Sequence, residues 1–441
     1  MKISPRIAIY TLGCKVNQYE SQKIKDEFAS QGCAIVDYDQ EADVYIVNSC
    51  TVTGIADRKT RQMARRSKKI NPSAITAVIG CYVKTDEAAL AEIEEIDVLL
   101  DSDNKDGIVA RVLDILAKDG RYIQDGAELV EDKDVNADGV HVHDFLHTED
   151  RTRAYIKIQD GCDRFCAYCI IPYARAGLKN KPVREIIDEV KLLVAQGYKE
   201  IVVTGINMAL YCCDTIIPAN SAVSSTEMGI HKDDRNVDLL VLLRLITAIP
   251  GDFRIRLGSL EPNVLGAEAI SALAKLDKIC PQFHLSLQSG SDRVLNTMNR
   301  RYTRADYIHI VTALREVDPL CSITTDIIVG FPGETEEDFE ESLSIVDICQ
   351  FSHVHVFRYS KRKGTAAYRM PNQVDEKVKS ARSTKLIRAA EVAANEFRQL
   401  CSGHTRQALV LNGTRAITDN GIEVMGLYDE RQINRFVDVV L

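Results

Sequence analysis

Short runs of β-branched and aliphatic residues alternate with amphipathic segments along the first part of the chain. The runs are residues 7–12 (IAIYTL), 44–49 (VYIVNS), 75–80 (ITAVIG) and 98–100 (VLL). Strands that alternate with helices in this way form a parallel sheet covered by helices on both faces. The pattern therefore predicts a doubly wound parallel-sheet domain at residues 1–118.

The pattern changes twice in the middle of the chain. Residues 119–150 lose their periodicity and accumulate acidic side chains, as is typical of an exposed linker. A βα rhythm restarts at Ala154 and predicts strands at residues 154–159, 201–204, 253–259, 283–288, 322–330 and 353–359. Six βα units are two short of an eightfold barrel, so this part is predicted to be a partial (β/α)6 barrel with an open side.

The remaining segments complete the predicted organisation. Apolar residues from Ile186 to Val194 lie on one helix face that ends at Gly197. Residues 208–236, which contain the adjacent Cys212 and Cys213, are predicted to be a long loop. A long helix follows at 376–400, so the barrel and its helical extension span 151–400, and residues 401–441 form a small β module.

Composition narrows the class of protein. The 441 residues are 45% hydrophobic and 27% charged, which is typical of a globular protein with several domains. No apolar run approaches the roughly 18 residues of a membrane span, and the first residues lack a signal-peptide pattern, so we expect a cytoplasmic protein without a membrane segment. The net charge of −9 means that any nucleic-acid contact must come from local basic patches.

Three of the 13 cysteines are tightly spaced just after the first barrel strand: Cys162, Cys166 and Cys169. Because the total is odd and the spacing tight, reduced thiols are expected. Three thiolates suit a [4Fe–4S] cluster in which one iron lacks a cysteine from the motif. The alternatives are chance clustering or a structural zinc site, but no fourth ligand for zinc lies nearby in the sequence.

Three other cysteines, Cys14, Cys50 and Cys81, each follow a predicted strand of the first domain. The carboxyl ends of parallel strands converge on the crevice where such sheets bind ligands. These cysteines are therefore candidates for a second cluster. The alternative is that they are small buried residues at strand ends.

The CxxxCxxC spacing, with Tyr168 before its last cysteine, resembles the radical-SAM superfamily. That resemblance implies that the open iron binds S-adenosylmethionine and that its cleavage gives a 5′-deoxyadenosyl radical. The phrases TLGCKVNQYES, VNSCTVTGIADRKTRQ, VIGCY, LSLQSGSDRVLNTMNRRYT and TDIIVGFPGETEEDF are similar to methylthiotransferases over about residues 5–370. The family resemblance implies two [4Fe–4S] clusters, with Cys14, Cys50 and Cys81 holding the auxiliary cluster that supports sulfur transfer.

The phrase GCKVNQYES most resembles the branch of the family that acts on N6-threonylcarbamoyladenosine at position 37 of tRNA, at C2 of the adenine. Sister branches act on isopentenyladenosine in tRNA or on a ribosomal-protein aspartate. The resemblance implies the tRNA anticodon loop, an electron donor and a sulfur source as partners. A non-catalytic iron–sulfur RNA-binding protein is the alternative from another class.

The same resemblance extends to barrel residues at strand ends, which would face the cofactor. They are Tyr168, Thr204, Gly205, Glu261, Gln288 and Ser289. The alternatives are turn geometry for Gly205 and polar capping for the others. The phrase GFPGE at 330–334 is predicted to be a structural turn into a helix. The chain departs from the family pattern at Ala176 and in the loop at 208–236.

Two basic patches are candidates for RNA contact. The first lies on a predicted helix soon after Cys50 and comprises Arg58, Lys59, Arg61, Arg65 and Arg66. The second lies at the last barrel strand and comprises Arg358, Lys361 and Arg362, with Tyr359 as a base-stacking candidate. Solvated helix faces are the alternative for each. The family's C-terminal module is a small RNA-binding barrel called TRAM, but here it is short and poor in basic residues.

Overall fold

The computed structural model describes residues 4–121, 152–214 and 236–441. Most of the predicted acidic linker at 119–150 and of the predicted loop at 208–236 lies outside these residues. The described residues form two compact units. The first contains residues 4–121 with 161–163 and 169–177, and the second contains 152–160, 164–168 and the described residues from 178 to 441.

The first unit is a five-stranded parallel sheet with helices on both faces. Its strands are β1 (Arg6–Thr11), β2 (Ala34–Val36), β3 (Val44–Ser49), β4 (Ile75–Gly80) and β5 (Val98–Asp101). Its helices are α1 (Lys15–Ser30), α2 (Gly54–Ile70), α3 (Cys81–Ala91), α4 (Ile108–Lys118) and the short α5 (Ile171–Ala174). The strand order is β2-β1-β3-β4-β5, so the chain reverses direction across the sheet between β1 and β3.

Hydrophobic packing explains this arrangement. Strands β3 and β4 are buried along their whole length, as expected for central parallel strands. Phe28 of α1 and Val112 of α4 pack on one face of the sheet. Met63 of α2 and Leu90 of α3 pack on the other face. The predicted doubly wound fold is confirmed.

The second unit begins with the barrel strands and helices. In chain order they are β6 (Arg153–Asp160), β7 (Lys179–Asn180), α6 (Val183–Ala195), β8 (Glu200–Gly205), β9 (Cys212–Asp214), β10 (Asn236–Asp238), α7 (Leu239–Thr247), β11 (Arg254–Leu257), β12 (Ser259–Leu260), α8 (Pro262–Ala274), β13 (Gln282–Leu285), α9 (Asp292–Thr297), α10 (Arg304–Val317), β14 (Ser322–Val329), α11 (Glu336–Cys349) and β15 (His353–Arg358).

The barrel strands form a parallel arc. Strand β8 lies between β6 and β11, and the order β12-β13-β14-β15 continues from β11 after the single residue Gly258. All six predicted strands are present, and the predicted partial barrel is confirmed. The prediction of a loop throughout 208–236 is wrong at its ends, because Cys212–Asp214 pairs antiparallel with Asn236–Asp238.

A long helix, α12 (Glu376–Cys401), follows the barrel and leads into a small antiparallel sheet. The sheet consists of β16 (Thr405–Asn412), β17 (Arg415–Thr418), β18 (Glu423–Met425) and β19 (Phe436–Val440). Arg254 and Arg256 of β11 donate hydrogen bonds to the carbonyls of Ile417 and Thr418, which fastens this β module to the barrel. Within the described residues, we find no helix with the length and apolarity needed to cross a membrane.

Candidate active site

The three cysteines of the first unit lie at the carboxyl end of its sheet. Cys14 occupies the N-cap position of α1, three residues after β1, while Cys50 follows β3 and Cys81 is the first residue of α3 after β4. Strands β1 and β3 are neighbours at the point where the strand order reverses, which is where open α/β sheets bind ligands. The fold therefore brings together cysteines that are far apart in the sequence.

The loop after β1, which carries Gly13 and Cys14, packs closely against Cys50 after β3. Gly13 has a φ of +96°, and a Cβ added there would lie 2.8 Å from the Cys50 sulfur. Burial, with smaller contributions from the nearby Cys81 and Cys14, raises the pKa of the Cys50 thiol to about 12. The thiol is therefore protonated at neutral pH, and binding a metal must displace its proton.

Among the described residues, the only group of three or more histidine, cysteine or carboxylate ligand atoms within 4.8 Å of one another is His284, Asp326 and His355. The thiols of Cys14, Cys50 and Cys81 do not form so compact a group.

Arg175 is the buried cation of this site, with 4% of its surface exposed. Its Nε donates to the Cys81 sulfur at 3.2 Å, and its Nη2 donates to the Asn17 Oδ1 at 2.8 Å. Both of its terminal nitrogens donate to Glu20 at 2.9 Å, and Lys105 pairs with the same carboxylate at 2.6 Å. A fixed positive charge thus lies beside a candidate thiolate ligand.

The sequence offered no chemical pattern that singled out Arg175, Asn17 or Glu20, although all three lie in or beside the quoted cysteine phrases. Arg175 is 94 residues from Cys81, so only the tertiary contact reveals it. Ala176, where the chain departs from the family pattern, is exposed next to it.

The other cysteine motif lies in the loop after β6, between Asp160 and Ile171. In the second unit, Cys166 is 8% exposed, and Arg300 donates to its sulfur at 3.5 Å. Backbone hydrogen bonds hold Ala167, whose N–H donates to Met298 and whose carbonyl accepts from Ala367. Tyr168 is half-buried and packs against an apolar cluster that includes Met298 and Phe331. The loop carrying Cys166 is therefore held in place on its barrel side.

Glu261 is the centre of a polar network in the second unit. Its carboxylate accepts a hydrogen bond from the Asn207 side chain at 2.6 Å and pairs with Arg300 at 3.3 Å and with Arg164 at 3.4 Å. The Asn207 backbone N–H donates to the Gln159 side chain at 2.8 Å. The network links the ends of β6, β8 and β12 to the arginine beside Cys166. Of its members, only Glu261 was singled out in the sequence.

Thr204, Gly205 and Gln288, which the family resemblance also assigns to the cofactor site, each have a different local environment. Thr204 is buried at the end of β8. A Cβ on Gly205 would lie 3.1 Å from the Gln159 carbonyl, so close backbone approach accounts for this glycine. Gln288 has a φ of +71°, and its backbone bonds to both Asp326 and Ile328 of β14.

Ser289 is fully buried, and its hydroxyl lies 3.5 Å from the Ser342 hydroxyl of α11. The Ser289 side chain therefore has a polar partner on α11 within the second unit. Glu334, in the predicted structural turn, accepts from the Gly330 N–H and from Arg382. Thr335 caps α11, so that turn does lead into a helix.

Comparisons with known proteins decide the family. A family model described as the radical SAM superfamily matches residues 156–346, and one described as uncharacterized protein family UPF0004 matches residues 6–101. A threonylcarbamoyladenosine tRNA methylthiotransferase of Aquifex aeolicus is 34% identical, in an alignment that covers 95% of this chain and 96% of the Aquifex protein. Its namesake in Bacillus subtilis is 38% identical over 89% of this chain and 81% of its own. This chain belongs to the radical-SAM methylthiotransferase family.

Other similarities agree with this family. A tRNA-2-methylthio-N6-dimethylallyladenosine synthase of Clostridium novyi is 35% identical, over 92% of this chain and 85% of its own. Among solved structures, the radical S-adenosylmethionine methyltransferase TsrM of Kitasatospora setae aligns with a TM-score of 0.54 at 15% identity. That alignment covers 80% of this chain and 75% of TsrM, and it shows the likeness of the fold.

Membership of the family makes the chain a transferase that uses S-adenosylmethionine and iron–sulfur clusters. Methylthiotransferases carry a [4Fe–4S] cluster for S-adenosylmethionine and a second cluster. The chain supplies two sets of three cysteines, and none of its thirteen cysteines, all in the described ranges, forms a disulfide.

The first basic patch of this methylthiotransferase lies on α2, which begins four residues after Cys50. Arg58, Arg65 and Arg66 are exposed there, and Arg66 pairs with Asp39 at 2.8 Å. Lys59 and Arg61 are half-buried, and they stack over tyrosine rings of the same unit.

The second basic patch begins at the last residue of β15, with Arg358 and Lys361 exposed and Arg362 half-buried. The prediction that Tyr359 stacks on bases is wrong, because its ring is 4% exposed and packs edge-on against Phe331. An exposed aromatic ring does lie nearby, since Lys361 lies over Tyr368 at 4.8 Å.

Proposed function

We propose that this chain converts N6-threonylcarbamoyladenosine at position 37 of tRNA to its 2-methylthio derivative. The observation that carries this proposal is the similarity to threonylcarbamoyladenosine tRNA methylthiotransferases of 34% and 38% identity, which extends over most of both chains. Sulfur and a methyl group would be added at C2 of the adenine. The reaction would take place in the cytoplasm and would need an electron donor and a sulfur source.

The two cysteine sets would divide the chemistry. Cys162, Cys166 and Cys169 would hold the cluster that binds and cleaves S-adenosylmethionine, and Cys14, Cys50 and Cys81 would hold the auxiliary cluster. The location of the second set at the ends of three adjacent strands supports this assignment. When bound, the clusters and S-adenosylmethionine supply the radical and the methylthio group. On this assignment, residues 1–118 form the auxiliary-cluster domain, 119–150 a linker, 151–400 the radical barrel, and 401–441 a TRAM-like module.

The chain's own residues orient the reacting groups. Glu261, held by Asn207 and Arg300, presents a carboxylate at the end of a barrel strand, where it would accept hydrogen bonds from the amino or hydroxyl groups of S-adenosylmethionine. Gln288 and Thr204 would line the same end of the barrel. Tyr168 would shield the cluster loop from water by packing on the apolar cluster below it.

The exposed arginines of α2 would bind the phosphates of the tRNA anticodon stem and loop. Arg58 and Arg65 lie seven residues apart, two turns of the helix, so both occupy one side of α2. The β module contributes less, since Arg406 pairs with Asp318 at 2.8 Å and Arg415 pairs with Glu423. Charge reversal of Arg58 and Arg65 should weaken tRNA binding most at low salt.

The test is nucleoside analysis of tRNA treated with the reconstituted enzyme. The enzyme is incubated with S-adenosylmethionine and a reductant, once with tRNA bearing threonylcarbamoyladenosine and once with tRNA bearing isopentenyladenosine. A mass shift on the first substrate supports the proposal. A shift on the second alone establishes the alternative suggested by the dimethylallyladenosine synthase of 35% identity. Failure to cleave S-adenosylmethionine would favour a non-catalytic RNA-binding protein.

The cluster assignment has its own test. Iron and sulfide are measured after anaerobic reconstitution of the wild type and of a Cys14→Ala, Cys50→Ala, Cys81→Ala variant. About eight irons falling to about four supports two cubane clusters. About four irons in both proteins would contradict the auxiliary site.

A further inference from the structure

Three adjacent parallel strands of the barrel place polar side chains on one face. His284 of β13, Asp326 of β14 and His355 of β15 lie there, with Asp326 directly beside His355 in register. Phe283 and Val354, which alternate with the histidines, are buried on the opposite face. The trio is therefore built by the strand register and does not depend on a loop.

The ligand atoms of the trio converge. One nitrogen of each histidine and one oxygen of Asp326 all lie within 4.8 Å of one another. His284 Nε2 lies 3.1 Å from Asp326 Oδ2. Within the parts of the chain that the structure describes, no other group of three such ligands meets this spacing.

Surrounding hydrogen bonds orient the ligands. The Thr324 hydroxyl lies 2.9 Å from His284 Nδ1, which turns Nε2 of that ring towards Asp326. The Ser286 hydroxyl donates to Asp326 Oδ2 at 3.4 Å. An outer hydrogen-bond partner on the far ring nitrogen is what metal-binding histidines ordinarily have.

A further histidine lies beside the trio. The His353 ring packs edge-on against the His355 ring, with a centroid distance of 4.4 Å.

We propose that His284, Asp326 and His355 bind a divalent cation of the zinc class. Two imidazoles and one carboxylate match the ligands of zinc or ferrous iron, whereas magnesium and calcium take oxygen ligands. Three protein ligands leave a position for water or an anionic oxygen, as in open metal sites. The site is distinct from both cysteine sets, and none of its ligands belongs to the proposed cluster sites.

The experiment uses the protein with its clusters reconstituted, so that the six cysteines of the proposed cluster sites are occupied. Zinc is titrated anaerobically against a chromophoric chelator, and cobalt(II) is added in parallel to record its visible bands. We expect one equivalent of zinc beyond the cluster sites. We also expect a cobalt spectrum that lacks the intense near-ultraviolet band of cobalt thiolates.

Variants identify the ligands. His284→Ala and Asp326→Asn should each abolish this equivalent, and Thr324→Val, which keeps all three ligands, should weaken zinc binding by about 10–100-fold. His309→Ala is the matched control, because His309 is exposed on α10 and lies outside the trio. Unchanged cluster iron and circular dichroism would show that the variants fold.

Either of two results would overturn the proposal: no zinc equivalent in the wild type, or an equivalent that persists in both His284→Ala and Asp326→Asn. The zinc titration needs neither tRNA nor turnover. The metal site can therefore be refuted while the proposed methylthiotransfer is confirmed, and the metal site can be confirmed while methylthiotransfer is refuted.

Discussion

Replacing Arg175 with methionine should change the electronic properties of the auxiliary cluster without unfolding its domain. Methionine retains much of the apolar volume of the arginine stem but removes its hydrogen bonds. Glu20 keeps its ion pair with Lys105 at 2.6 Å, so its carboxylate is not left without a buried partner. Loss of the remaining bonds should cost about 1–3 kcal/mol of unfolding free energy.

The expected effect on the cluster follows from the bond between Arg175 Nε and the Cys81 sulfur, 3.2 Å long. A hydrogen bond to a charged group contributes about 1.5–3 kcal/mol, and it is stronger for the reduced, more negative cluster. About half of that energy is taken to differ between the two oxidation states. For a one-electron couple, a tenfold change in the equilibrium constant, about 1.4 kcal/mol, corresponds to about 59 mV, so the reduction potential should shift by about 30–60 mV. The variant should have the more negative potential.

The assay is a redox titration followed by electron paramagnetic resonance. It is done in a background with Cys162, Cys166 and Cys169 changed to alanine, so that only the auxiliary cluster contributes. Arg184→Met is the control, because Arg184 is exposed on α6, outside the first unit, and its ion pair is with Asp188, at 3.8 Å. An unchanged potential, or a shift to a more positive value, would refute a hydrogen bond from Arg175 to a coordinated Cys81.

Three further predictions concern other parts of the chain. Although burial alone would raise it, three arginines hold the pKa of Glu200 well below its usual range. Its stabilising contribution is therefore complete above the unfolded pKa of about 4.3 and lost as the pH falls towards the folded value. Glu200→Gln should lower the free energy of unfolding by about 3–5 kcal/mol, measured by thermal unfolding at pH 7. The variant should also lose less stability than the wild type below about pH 4.3, and the same pH dependence in both proteins would contradict this. Gly13→Ala should lower auxiliary-cluster iron, because its Cβ would meet the Cys50 sulfur at 2.8 Å, and full iron loading would contradict this. Glu261→Gln should weaken S-adenosylmethionine binding about tenfold in a calorimetric titration, the loss of one charge-assisted hydrogen bond, while cluster iron stays unchanged.

Local hydrophobic patterning was enough to locate most of the strands. Residues 44–49 and 75–80 were predicted as strands and coincide with β3 and β4. Strand β2, with only three residues, was missed because so short a segment has no readable alternation. Cys14, Cys50 and Cys81 were found because each comes just after a predicted strand, whereas Cys162, Cys166 and Cys169 were found from their tight spacing.

The tertiary structure decided which distant side chains meet. The packing of α5 against α3 placed Arg175 beside Cys81, and the register of β13, β14 and β15 assembled His284, Asp326 and His355 from segments about 30 to 40 residues apart. It also buried Tyr359, which the sequence suggested as a surface ring. Local hydrophobic periodicity predicts the helices and strands because it reflects which face of each one is buried. Contacts between elements depend on strand order and register, which no local pattern encodes.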